Sequence, residues 1–194
     1  MRISGGTAKG RKLCTPKGGK DSIRPTSDRV REALFSILGE RVRGARVLDL
    51  FAGTGSLGLE SLSRGAASAV FVDQSPQALE LIRTNLHHCF ATGQAELFRL
   101  DLGRSTGFTS LARRLAPGSR FDLVFLDPPY EKKLAELTLT MVETNSFAAP
   151  GGFVIAEERW RVVLPDTVGG LRLNLHRRYG ETGIWLYTTE NSSS

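Results

Sequence analysis

Val47-Leu-Asp-Leu-Phe-Ala-Gly-Thr-Gly-Ser-Leu-Gly58 constrains this chain more than any other stretch. A short apolar run reads as a buried strand, and the glycines that follow let the backbone turn sharply and approach a ligand before a helix begins. Phe51, Ala52, Gly53, Thr54 and Gly55 form a candidate nucleoside-binding loop behind Asp49. Gly53-x-Gly55-x-x-Gly58 also fits the dinucleotide fingerprint, a pattern that glycine-rich turns of cofactor-free α/β proteins share.

Later strands extend the pattern. Ala69-Val-Phe-Val-Asp73 is a second buried strand, and Asp73 follows the loop at the spacing where a nucleoside-binding fold sets a carboxylate on the ribose hydroxyls. Ser75-Pro76 supplies a cap and first-turn proline for a helix facing inward through Leu79, Ile82 and Leu86. Glu96 to Asp101 reads as a third strand, its terminal acid either beside the adenine or capping the next helix. Phe121 to Asp127 is the fourth and most apolar strand, hence central. A helix over 134–143, a strand over 152–156 and a closing hairpin over 171–178 and 182–188 around Gly180 complete an α/β, Rossmann-like fold. The expected sheet is mostly parallel, with seven strands and a C-terminal antiparallel hairpin. His87 and His88 are adjacent on a helix, point apart and share no metal, so no metal site is expected.

Asp127-Pro128-Pro129-Tyr130 is the most informative tetrapeptide. Two prolines remove two backbone donors and fix φ twice, so a carboxylate, a free carbonyl and an aromatic ring share one stiff turn. That set suits an exocyclic amine: Asp127 and the Pro128 carbonyl accept its hydrogens while Tyr130 stacks on the base.

The formal net charge is +6 over 194 residues. Met1 to Arg46 carries twelve Lys or Arg against four Asp or Glu, which is +8 and leaves −2 for the rest. A basic segment on a near-neutral body points to a polyanion docked at one edge, or else to a solvated tail. Residues 1–22 read as a basic hairpin with strands over 2–6 and 10–14, and Lys9, Arg11, Lys12, Lys17 and Lys20 suit phosphate contacts. No aromatic residue is interleaved there, so the arm is no base-stacking platform. Arg24-Pro-Thr-Ser27 opens a helix capped by Thr26 or Ser27, with Val30, Ala33, Leu34, Ile37 and Leu38 on one face. Arg29 and Arg31 lie off that face, solvated or at the substrate. Residues 23–190 form the main domain and 191–194 a frayed tail. No apolar run approaches bilayer length, no secretory signal is evident, and Cys14 and Cys89 are far apart, which together favour the cytoplasm.

The glycine loop, the strand-end acids and Asp127-Pro-Pro-Tyr130 together resemble the amino-methyltransferases that use S-adenosyl-L-methionine. Adding Arg2-Ile3, Gly10-Arg-Lys-Leu13, the block from Arg24 to Phe35, Asp49 to Gly55 and Tyr179-Gly-Glu-Thr182, the chain resembles the bacterial 16S ribosomal RNA guanine-N2 methyltransferase family over nearly its whole length. Ser4 departs from an apolar position, and Tyr130 stands where some members have Phe. The resemblance implies methylation of a guanine N2, guanine-966 of 16S ribosomal RNA, by in-line displacement without a covalent enzyme intermediate; the RNA is expected within the small subunit, with naked RNA as the open alternative, and a monomer is the default expectation. It implies cofactor contacts at Asp49, where the cofactor's amino group is met, at the loop residues, and at Asp73 and Asp101. Catalytic roles fall to Asp127, Pro128, Pro129 and Tyr130, and RNA contacts to Lys9, Arg11, Lys12, Arg24, Thr26 and Arg29. Rival readings are adenine or cytosine in DNA, a protein glutamine, a nicotinamide oxidoreductase and a non-catalytic RNA-binding module.

Overall fold

The computed structural model describes residues 1–15, 28–90, 93–130 and 134–189. Lys17, Lys20, Arg24, Thr26 and Ser27 lie outside them, so the phosphate contacts and helix cap expected there are not described. Two units organise the chain, Met1–Arg99 and Leu100–Ser194.

In the first unit, helix α1 (Asp28–Leu38) is followed by a 3-10 turn (Gly39–Val42), β1 (Arg46–Leu50), α2 (Ser56–Ser63), β2 (Ser68–Asp73), α3 (Pro76–Cys89) and β3 (Ala95–Arg99). β1 pairs parallel with β2, and β2 with β3. Parallel neighbours need long crossovers, and α2 and α3 are those crossovers. Both faces are covered, so Val47, Leu48, Leu50, Phe71 and Val72 are wholly buried. α3 starts where its cap predicts, with the Ser75 hydroxyl accepting from the Ala78 N–H at 3.2 Å. Its inner face holds Leu79 and Ile82, while Leu86 is only half-buried.

All eight residues of α2 are buried, which an ordinary amphipathic helix would not allow. The N-terminal arm is what covers it. The backbone N–H of Ser4 and its hydroxyl donate to the two Glu60 carboxylate oxygens at 2.8 and 2.7 Å, and Thr7 N–H donates to the Ser63 carbonyl at 2.7 Å. Ser4 therefore anchors the arm where an apolar residue was expected. The expected pair of strands reduces to one antiparallel bridge, Arg2 with Lys12, because Gly5 to Gly10 form turns that follow α2.

Arg31 corrects a second expectation. It is neither solvated nor substrate-facing but fully buried, bound to Glu60 at 3.3 Å, Asp28 at 2.9 Å and the Arg2 carbonyl at 2.5 Å. Arg31 is covered by the arm and α2, while Arg29, Glu32 and Ser36 of the same helix stay exposed, as does Ile37 of the expected apolar face.

In the second unit, α4 (Ser105–Arg114), β4 (Phe121–Leu126), α5 (Leu134–Thr144), β5 (Ala148–Arg159), β6 (Thr167–Val168), β7 (Leu171–Tyr179) and β8 (Thr182–Thr189) follow in order. β4 pairs parallel with β5, and β5–β8, β8–β7 and β7–β6 are antiparallel. The strand order is β3-β2-β1 in the first unit and β4-β5-β8-β7-β6 in the second, so the seven strands expected gain, among the described residues, the two-residue β6 at the antiparallel end. Gly180, at φ 64, turns the final hairpin as read. β5 is much longer than expected and runs through Glu157, Glu158 and Arg159, which pair with Ile184, Gly183 and Thr182. Among the described residues, no helix is long and apolar enough to cross a membrane.

Candidate active site

The loop after β1 carries strain and close contacts together. Phe51 stands at φ 59, left-handed for a non-glycine residue, a conformation that clusters at functional sites. Gly53 and Gly55 follow at φ 55 and 74, and Gly55 caps α2. Asp73 holds the loop from the neighbouring strand, accepting from Gly53 N–H and Ser75 N–H at 2.8 Å each. Each oxygen keeps a lone pair for a ligand hydroxyl. Asp49 is buried, and its Oδ2 accepts from Gly58 N–H at 2.9 Å.

Burial, opposed by the Gly58 hydrogen bond and reinforced by the charge of Asp73, pushes the Asp49 carboxyl up to about 7. A positive group placed beside such a buried acid would restore the charge that desolvation suppresses. Gly58 is spacing for the protein itself, not for a ligand: a Cβ there would lie 2.3 Å from the Phe71 ring. At Gly55 a Cβ would approach Ile82 to 2.9 Å.

Asn85 and Glu60 were not picked out from the sequence. Asn85 is buried on α3, its Oδ1 accepts from Cys14 N–H at 2.7 Å, and its Nδ2 donates to the Cys14 and Thr54 carbonyls at 3.2 and 3.4 Å. It thereby joins the basic arm to the glycine loop. The signal was a polar residue at a core position between Ile82 and Cys89, just as Glu60 sits among Leu57, Leu59 and Leu62. Of the expected RNA contacts, Lys9, Arg11, Lys12 and Arg29 are exposed, although Arg11 also donates to the His88 carbonyl.

In the second unit β4 ends at Leu126 and the corner begins. Asp127 is half-exposed, Pro128 buried, Pro129 exposed and Tyr130 half-buried. The Tyr130 hydroxyl donates to Glu157 Oε1 at 3.0 Å, and the Arg159 guanidinium carbon lies 5.8 Å from the ring centroid. Burial, then the negative charges of Glu157 and Asp127, raise the Tyr130 pKa well above its usual value, so the hydroxyl stays a donor. Asp101 is exposed and lies two residues past the end of β3, where its Oδ1 accepts from Gly103 N–H at 2.9 Å in the turn before α4. The turn-forming role is therefore visible, with the outer oxygen left for a ligand.

This order of strands, with a glycine turn after β1, an acid ending β2 and an acid-diproline corner after β4, defines a class I methyltransferase fold. A candidate methyltransferase from Escherichia coli, YhhF, has a similar solved structure: TM-score 0.83, 33% identity, 99% of each chain covered. The chain belongs to the family described as conserved hypothetical protein 95, whose model matches residues 1–188. It is 35% identical to ribosomal RNA small subunit methyltransferase D of Escherichia coli (strain K12), covering 98% of this chain and 90% of the relative. It is 38% identical to a candidate rRNA methyltransferase of Bacillus subtilis (strain 168), YlbH, covering 96% and 98%.

Proposed function

We propose that this protein methylates the exocyclic N2 amine of a guanine in 16S ribosomal RNA, guanine-966 by family resemblance, with S-adenosyl-L-methionine as methyl donor. The observation that carries the reading is the Asp127–Tyr130 corner, whose ring is fixed by its own hydroxyl on Glu157. The names and extent of the relatives support rRNA as the substrate.

The residues of the first unit fit the cofactor. Asp49, buried and held near neutrality, suits its ammonium group. Asp73 suits the ribose hydroxyls and the backbone from Phe51 to Gly55 lines the nucleoside; Asp101, which belongs to the second unit, is assigned to the adenine edge. Bound there, the cofactor supplies an electrophilic methyl on a sulfonium.

An aromatic amine is a poor nucleophile because its lone pair is shared with the ring. Asp127 and the Pro128 carbonyl accept its two hydrogens and draw the nitrogen toward tetrahedral geometry, while Pro129 stiffens the turn. Alignment is the larger effect, at roughly 7–11 kcal/mol for well-oriented reactants. The base must leave its stack at a cost of a few kcal/mol, partly offset by stacking on Tyr130 at about 1–3 kcal/mol. Exposed Lys9, Arg11, Lys12 and Arg29 contact phosphates without reading sequence. The substrate is rRNA of the small subunit in the cytoplasm, and the enzyme acts as a monomer.

The test offers methyl-labelled cofactor to undermethylated small subunits, free 16S RNA and DNA side by side, then maps the modified base. Label at a guanine N2 in 16S RNA is expected. Label confined to DNA or to protein would replace this reading.

A further inference from the structure

The N-terminal arm provides charge but no aromatic surface, and a flipped base needs its neighbours held too. Residues 159–182 contain five arginines (Arg159, Arg161, Arg172, Arg177 and Arg178) against Asp166 and Glu181, and all seven are exposed. The whole stretch from Val47 onward sums to −2, so this is a second basic concentration that the linear charge count hides.

The sheet sorts part of it onto the face that carries Tyr130. Arg159 and Tyr179 both pair with Thr182, forming one cross-strand row over β5, β8 and β7. Glu157 and Arg177 both pair with Ile184 in the next same-face row. The Tyr130 hydroxyl reaches Glu157, and Arg159 lies by the Tyr130 ring, so both tyrosines and both arginines belong to one face. Arg178 lies on the other face, where its guanidinium sits 3.7 Å from the Trp160 ring centroid and its Nε donates to the Gly180 carbonyl at 2.8 Å.

Two half-exposed aromatic rings and two exposed guanidinium groups along one sheet face, around buried Thr182 and Ile184, match a single-stranded polynucleotide, whose bases stack and whose phosphates need neutralising. An acidic peptide would use the charge but not the ring spacing. We infer that the Arg159–Tyr179–Arg177 face is a second RNA contact, holding nucleotides that flank the base on Tyr130: the arginines bind phosphates and Tyr179 stacks a neighbouring base. This inference rests on the proposal that the substrate is RNA.

The experiment titrates the full-length protein with a 16S RNA fragment carrying the target guanine, at several salt concentrations. Fluorescence anisotropy of a dye on the RNA end reports binding, because Trp160 packs under Arg178 on the opposite face. Arg159→Glu/Arg177→Glu should weaken RNA binding about tenfold or more and flatten the plot of log K against log salt by about 1.4, the value for two single-strand phosphate contacts. Tyr179→Leu should weaken binding by a similar constant factor at every salt, with the slope unchanged. Cofactor affinity by calorimetry should match wild type in all variants, and Arg159→Gln/Arg177→Gln replaces the reversal if that pair fails to fold. Unchanged RNA affinity and slope in the arginine pair, with wild type binding and methylating RNA, would overturn this contact and leave the methyl-transfer reading standing. A wild type that neither binds nor methylates RNA would overturn both.

Discussion

The Tyr130 hydroxyl donates to Glu157 Oε1 across 3.0 Å, so the ring after the diproline is fixed from the strand next to its own. Its raised pKa keeps it a donor at any working pH. Tyr130→Phe keeps the ring and loses the tether, which should lower kcat/KM by several-fold, in keeping with about 0.5–1.5 kcal/mol for one net hydrogen bond. Tyr130→Ala also removes the stacking surface and should cost a further 1–3 kcal/mol or so. Steady-state kinetics on RNA check this, and equal losses in the two variants would show that the ring itself contributes nothing.

With Asp49 in its proposed place at the cofactor's ammonium group, cofactor affinity should depend on pH. Its folded pKa, about 7, is raised above the ordinary value of 3.8, so the free protein holds a proton there that the unfolded chain gives up. Stability from this group is therefore full below pH 3.8 and is lost as pH rises through about 7. A cationic ligand needs the carboxylate, so affinity should rise with pH up to about 7 and then level, with proton release on binding below that point. Calorimetry in buffers of different ionisation enthalpy measures the protons. Asp49→Asn should flatten the profile, and a flat wild-type profile would contradict the role.

Glu60 holds two arginines, Arg31 at 3.3 Å and Arg64 at 2.8 Å, and is itself fully buried. Arg31 Nη1 already lacks a hydrogen-bond partner. Glu60→Ala should cost about 3–5 kcal/mol, because it strands a buried cation, whereas Arg31→Met/Glu60→Leu should be far milder. Urea unfolding decides this, and a single variant no worse than the double would rule out the buried-charge explanation.

How much of this was legible in the sequence depends on range. The glycine loop, the Ser75 cap and the Gly180 turn were readable because each is set by residues a few positions apart. The Glu60 cluster was not, since its partners lie 29 positions away in Arg31 and 56 in Ser4, and only folding brings them together. β5 was cut short because Glu157, Glu158 and Arg159 carry no strand signal of their own. They are extended because β8 pairs with them. Asp101 was placed at a strand end, but it lies in the turn beyond, where chain direction is set by Gly103 and α4. The Asp127 corner stood out from its residue types alone, while the tether of Tyr130 to Glu157 required tertiary contact.

Gly58 tests the packing of the loop against β2. A Cβ there would lie 2.3 Å from the Phe71 ring and 3.1 Å from Asp49 Oδ2. Gly58→Ala should destabilise by about 1–3 kcal/mol through overpacking. Combined with Phe71→Leu, the loss should be less than the sum of the two single losses, since the residues share one clash. Strict additivity in urea unfolding would exclude the steric explanation.

Asp127→Ala, followed by cofactor calorimetry and by single-turnover methyl transfer to 16S RNA, tests the proposed chemistry most directly. Cofactor affinity should stay near wild type while transfer is abolished, because the carboxylate acts on the amine and not on the methyl donor. Transfer retained with cofactor affinity lost would contradict it and move Asp127 to the cofactor's side of the reaction.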